Sequence, residues 1–171
     1  MLAWRDSGNQ DFPPNNLATI HLSRPMDEVQ YRDTYHSVNE RRCHFEKTIN
    51  ARVCTCRHMQ RFNLADREGV GCTNPKAHRN CADWLHAVRQ ASCFALAQPK
   101  PVDILPHRLE AKVQAGGLLG LAELINGSPS VDDIANLLDH AISRYGNVSD
   151  IPMPDIVTAV TEYEPRQRKK R

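Results

Sequence analysis

Six thiols confined to one stretch of chain pose the first chemical question. Cys43, Cys54, Cys56, Cys72, Cys81 and Cys93 are all the cysteines of a 171-residue sequence, and His44, His58, His78 and His86 lie among them. The spacing is C-x10-C-x-C-x15-C-x8-C-x11-C. Four thiolates can enclose a tetrahedral zinc or hold an iron–sulfur cluster. The preferred tetrad is Cys54, Cys56, Cys72 and Cys81. Its first two members form a close pair, and its last two bracket a turn-rich loop. Cys43 stands in reserve, and His58 or His78 can replace a thiol. Cys93 falls in a helical pattern with packing partners and is the weakest ligand candidate.

This spacing departs from a zinc ribbon, which uses two C-x2-C knuckles. Successive side chains of a strand point to opposite faces, so in C-x-C the backbone must bend at Thr55 for both sulfurs to reach one centre. Two glycines, Gly69 and Gly71, precede Cys72 and free the backbone to fold closely around a ligand. Arg52, Arg57, Arg61 and Arg79 lie near the tetrad, placed to offset the negative charge of a thiolate centre. The first reading is therefore a [4Fe-4S] iron–sulfur cluster with an electron-transfer or redox-sensing role. The protein would serve as an accessory subunit docking on a larger partner such as an oxidoreductase. The alternative is a zinc-stabilised module that binds protein or nucleic acid.

Two further readings compete. Free cysteines are often small buried apolar residues, although that does not explain why all six cluster. Alternatively the thiols act directly, with Cys54 and Cys56 activated beside Arg57 and His58 the local base for Cys56. A non-catalytic metal protein is preferred over an enzyme. The chain has no GxGxxG, P-loop, HExxH or GxSxG motif. Asp132, Asp133 and Asp139 look like helix-cap and surface charges. His140 reads as a surface or boundary histidine and not as a ligand.

Composition narrows the partners. A net charge of +2 argues against a general phosphate binder, which usually carries a clear basic excess. Nucleic acid is thus not the favoured partner, although Arg166 to Arg171 form a basic tail able to touch it. No window approaches the roughly 18 apolar residues of a membrane span, and Met1 to Asp6 do not open a signal peptide. A cytoplasmic protein is expected, where clustered thiols are more often ligands than disulfides. Aromatic residues make up only 6% of the chain, so the core is lean and a metal clip or partner would help hold it.

The elements that must position these residues are mainly α-helical. The expected plan is an irregular N-terminal arm over 1–24, a Cys-rich metal-binding region over 25–98, a helical C-terminal region over 102–164 and a basic tail over 165–171. Within it, Pro25 to Arg42 suggest a weak helix, and Val53 to Cys56 a short extended piece. A helix over 82–97 is expected to start at an Asn80 cap. The Pro99-Lys100-Pro101 segment marks the best internal boundary. Leu109 to Ile125 suggest a helix with a break or a close backbone contact at Gly116-Gly117. Ser130 with Asp133 reads as a capping pair for a helix over 131–145, closed by Gly146. Asp155 to Tyr163 suggest a last short helix.

Overall fold

The computed structural model describes residues 27–98 and 105–165. Among these residues the fold is mainly helical. The order is α1 (Glu28–Val38), α2 (Glu46–Asn50), β1 (Met59–Leu64), β2 (Arg67–Cys72), α3 (Pro75–Ser92), α4 (His107–Asn126), α5 (Ile134–Tyr145), a 3-10 turn (Val148–Asp150) and α6 (Pro154–Glu162). The N-terminal arm with Trp4 and Phe12, the Pro99-Lys100-Pro101 boundary and the basic run from Arg166 lie outside the described residues.

The two strands form an antiparallel hairpin in which Met59 faces Cys72 and Leu64 faces Arg67. This hairpin replaces the short extended piece expected at Val53 to Cys56, which is a loop. Tight hairpins favour Asn or Gly in left-handed turn positions. Here Ala65 takes that conformation, at φ 53°, so the usual turn signal is missing.

Helix α3 starts earlier than the sequence pattern suggested. The Asn74 side chain accepts from the Lys76 and Ala77 amides at 2.9 and 3.0 Å, and Pro75 fits the first turn, where no backbone N–H is needed. Asn80, the expected cap, lies inside the helix. The buried face carries Cys81, Trp84, Leu85, Val88 and Ser92, at the three-to-four-residue recurrence of a core-facing stripe. Helix α5 is capped by Asp133, which accepts from the Ala135 amide at 3.1 Å, so the helix begins at Ile134 and not at 131.

Helix α4 is continuous through Gly116-Gly117 and ends at Gly127, whose φ is 67°. The two glycines serve close packing. A Cβ on Gly116 would meet Val160 Cα at 2.6 Å and the Ala159 carbonyl at 2.8 Å, and one on Gly117 would meet a Val88 methyl at 2.9 Å. Gly120 likewise faces Ala159 and Ile156. Helix α6 therefore lies against the bare backbone of α4, burying Ile156 and Val160 completely. The core is one cluster. It joins Phe45, Ile49 and Val70 from the Cys-rich region to Trp84, Leu118, Leu121, Ile134 and Leu138.

Helix propensity alone predicts that Gly116→Ala stabilises α4 by about 1 kcal/mol. The backbone of α6 cannot give way as a flexible side chain would, so overpacking should win and the variant should be less stable by roughly 1–3 kcal/mol. Chemical denaturation of wild type and variant checks the sign. Stabilisation would mean that α4 and α6 are not packed this closely.

Candidate metal centre

Four segments bring cysteines to one place beside the start of α3. The chain before α2 runs antiparallel to β2: the Cys43 amide donates to the Val70 carbonyl at 2.9 Å, and the Cys72 amide to the Arg41 carbonyl at 2.8 Å. This sets Cys43 beside the end of β2, where Cys72 sits. Cys56 lies just before β1, which pairs with β2, and the Thr73 amide returns to the His58 carbonyl at 2.9 Å. Cys81 comes from the second turn of α3.

Cys43, Cys56, Cys72 and Cys81 line one pocket with Phe45, Met59, Ala77 and Ile134. All six pairs among these four thiols lie close enough for each member to oppose the other's ionisation. Cys54 is buried and senses only Cys43 and Cys56 among the thiols. It lines a different cavity, with Arg61 and Val131. The structure thus gathers three members of the expected tetrad with the reserve residue Cys43, and places Cys54 to one side. His58 and His78 both line the thiol pocket. Cys93 lies outside it, its thiol donating to the Arg89 carbonyl at 3.1 Å.

Space in the pocket is limited. Its interior has about 10 Å³ of free room, enough for roughly one water. Among the described residues, no group of three or more His, Cys, Asp or Glu side chains is set in metal-coordinating geometry. Binding any metal group would therefore require the thiols to reorient.

Burial dominates the electrostatics of the pocket. It pushes the thiols of Cys43 and Cys54 up to about 12 and those of Cys56 and Cys81 upward. The direction runs against the acidified Cys54–Cys56 pair that the sequence suggested. Backbone amides pull the other way. The Phe45 amide serves Cys43, and the His58 and Ala135 amides serve Cys56. Ala135 lies in the first turn of α5, so the positive end of that helix faces the Cys56 sulfur, while the Asp133 carboxylate that caps it pulls the other way.

Three of the four arginines expected to shield the centre are engaged elsewhere. Arg57 pairs with Asp133 at 3.3 Å and Asp139 at 3.1 Å, and Arg52 with Glu68 at 3.0 Å. Arg61 donates to the Ile49 carbonyl at 3.2 Å. Arg61 also acts on a thiol, that of Cys54. Arg79 is exposed on α3.

The Arg57 pairs do hold the cysteine loop. The Ile134 amide donates to the Thr55 carbonyl at 3.0 Å, the Thr55 hydroxyl donates to the Asp132 carbonyl, and the Arg57 amide donates to Asp133 at 3.2 Å. The loop carrying Cys56 is thereby fastened to the N-terminus of α5, a contact that the sequence did not signal. Missed too was the stacking of His44 on His78, ring centres 4.2 Å apart. Burial, with His78 nearby, pushes His44 down to about 4. His140 is exposed on α5, and no described helix is long and apolar enough to cross a membrane.

Comparison with protein-family models, with curated proteins and with solved structures gives no match. The chemistry therefore rests on the residues themselves.

Raised thiol values have a consequence for the reduced, chelated protein. An unfolded cysteine ionises near pH 9, whereas Cys43 and Cys54 in the fold hold their protons to about 12. Their contribution to stability is fully present below pH 9 and is lost as pH rises through 9 towards 12. Thermal melts of metal-free protein should fall across that window. Substituting Cys54 by Ala should flatten the fall, and an unchanged pH slope in that variant would refute burial of this thiol.

Proposed function

We propose that Cys43, Cys56, Cys72 and Cys81 hold a metal centre, and that this centre is an iron–sulfur cluster used for electron transfer or redox sensing. One observation carries the reading: four thiols from four separate segments, each the neighbour of the other three, line a single pocket. Amides aimed at the Cys43 and Cys56 sulfurs support it, since N–H donors to ligating sulfur tune and steady such centres. The apolar walls Phe45, Met59 and Ile134 would lower the local dielectric. Cys43, Cys56 and Cys72 are only half-buried, which leaves the centre close to the surface, where a larger redox partner could exchange electrons with it. Relative to the sequence expectation, this ligand set takes Cys43 in place of Cys54.

Zinc is the second reading, and the pocket's narrow interior favours it, because one ion needs less room than a cluster. In that case the centre would clip the hairpin to α3, and the protein would act as an interaction module.

Anaerobic purification followed by iron, sulfide and zinc analysis separates the two. About four irons and four sulfides per chain, with broad visible absorption, are expected for the cluster. One zinc and no colour would leave the zinc reading, and no metal would sink both. Single Cys→Ser substitutions at 43, 56, 72 and 81 should each cut metal content to a small fraction of wild type. The same change at Cys93 should leave it intact, and at Cys54 should largely preserve it. Full metal loss in the Cys54 variant, with retention in the Cys43 variant, would restore the Cys54 tetrad.

A further inference from the structure

The C-x-C segment offers two thiols to the centre, and the fold treats them differently. Cys56 lines the thiol pocket, whereas Cys54 lines the separate cavity with Arg61 and Val131. Cys54 is 4% exposed and Cys56 is half-buried. The two side chains are the same, with Thr55 alone between them. Side-chain chemistry therefore cannot choose between them. The choice lies in how the backbone around them is held.

That backbone is tied on both sides of Cys56. Before it, the Thr55 carbonyl accepts from the Ile134 amide at 3.0 Å, and the Thr55 hydroxyl donates to the Asp132 carbonyl. After it, the Arg57 amide donates to Oδ1 of Asp133 at 3.2 Å, the oxygen that also accepts from the Ala135 amide at 3.1 Å. The Arg57 guanidinium reaches Oδ2 of Asp133 at 3.3 Å and Asp139 at 3.1 Å. All these partners lie in the stretch from Asp132 to Asp139, at and around the start of α5. The residue before Cys54 is tied elsewhere, its amide donating to the Thr48 carbonyl of α2 at 3.1 Å.

Exposed ion pairs add little to stability one by one. Here their placement matters, because they fix the direction in which one side chain leaves the chain. With Thr55 and Arg57 fastened to α5, Cys56 enters the pocket and the Ala135 amide meets its sulfur. Cys54 is close enough to compete, since it already senses Cys43 and Cys56.

We infer that Thr55 and Arg57 are positioning residues that select Cys56, and not Cys54, as a ligand of the metal centre. The inference rests on the metal reading proposed above. Freed from α5, the segment can turn and bring Cys54 to the place that Cys56 holds.

Metal content of anaerobically purified full-length protein tests this, with Thr55→Val and Arg57→Gln combined to free the loop. Both side chains are exposed, so the fold should survive. Cys54→Ser and Cys56→Ser are then compared in the wild-type and the freed backgrounds. In the wild-type loop Cys56→Ser should lose most of the metal and Cys54→Ser little. In the freed loop the ratio of the two losses should shift by about threefold or more towards Cys54, the non-additivity of residues that act through one another. A merely structural role would lower both in parallel and leave the ratio unchanged, which overturns the inference. So does a freed loop that keeps the wild-type circular dichroism but holds no metal. If the freed chain fails to fold, Asp133→Asn takes its place and the same ratio is read. That change keeps a capping side chain while removing the charge that faces Arg57. Wild type without metal defeats the metal reading instead, and the placement of the two thiols is then read by iodoacetamide labelling of the metal-free protein. Cys56 should label faster than Cys54, and freeing the loop should narrow the difference. An unchanged difference overturns the inference.

Discussion

The closeness of α4 to its neighbours is the constraint on which the rest of the fold depends. Where Gly116, Gly117 and Gly120 present no side chain, the backbone of α6 and the methyls of Val88 move in. Helices α2, α3, α5 and α6 all pack on α4, so the distance set there fixes where α3 carries Cys81 and where α5 presents its N-terminus. A chain with few aromatic residues gains core density in this way, by bringing backbones together instead of filling space with large rings. Dispersion gains follow from that density.

The same packing accounts for the polar residues held inside. Thr48, Gln114, Glu110 and Arg89 form a chain of contacts from α2 through α4 to α3. Burying a carboxylate without its guanidinium partner would be strongly unfavourable. The pair therefore locks α3 and α4 in one relative setting, at the edge of the region where the four thiols meet. Hydrophobic contact alone would fix that setting less sharply, since Leu, Val and Ala faces can slide by small amounts. The cysteine loop is fixed by different means, its backbone bonded to the first residues of α5 and its Arg57 to Asp133 and Asp139.

What could be read from the sequence followed from local rules. The α5 stripe, its Gly146 stop and the α6 face are periodic and bounded by breakers, and they stand nearly where expected. The start of α3 was hidden because His78, Arg79 and Asn80 interrupt the apolar recurrence. The true cap, Asn74, sat inside what read as a turn. The hairpin was hidden because β2 contains two glycines and its turn uses Ala65. Gly116-Gly117 read equally as a break or a close contact, and only a partner helix distant in sequence decides between them. The site was half legible for the same reason. Clustering of thiols is a property of sequence. Which four of them face each other depends on the pairing of residues 41–43 with 70–72, and no local pattern encodes that.

Charge balance at the thiol pocket explains why the C-terminal half matters to it. Without metal, burial favours neutral thiols, and the pocket is internally consistent as an apolar space. Four thiolates on a divalent ion carry a net charge of about −2, and that charge must be met by something. Arg52 and Arg57 are committed to carboxylates, so counter-charge from those two would cost existing ion pairs. Fixed dipoles remain: the Phe45 and His58 amides, and the Ala135 amide at the positive end of α5. The last of these is delivered by a helix from the opposite end of the chain, already fastened to the cysteine loop at Thr55 and Arg57. Dipoles held in place by packing need no reorganisation when charge appears. A metal centre here would thus draw its stabilisation from the way α5 docks, which makes the C-terminal half part of the site's electrostatics.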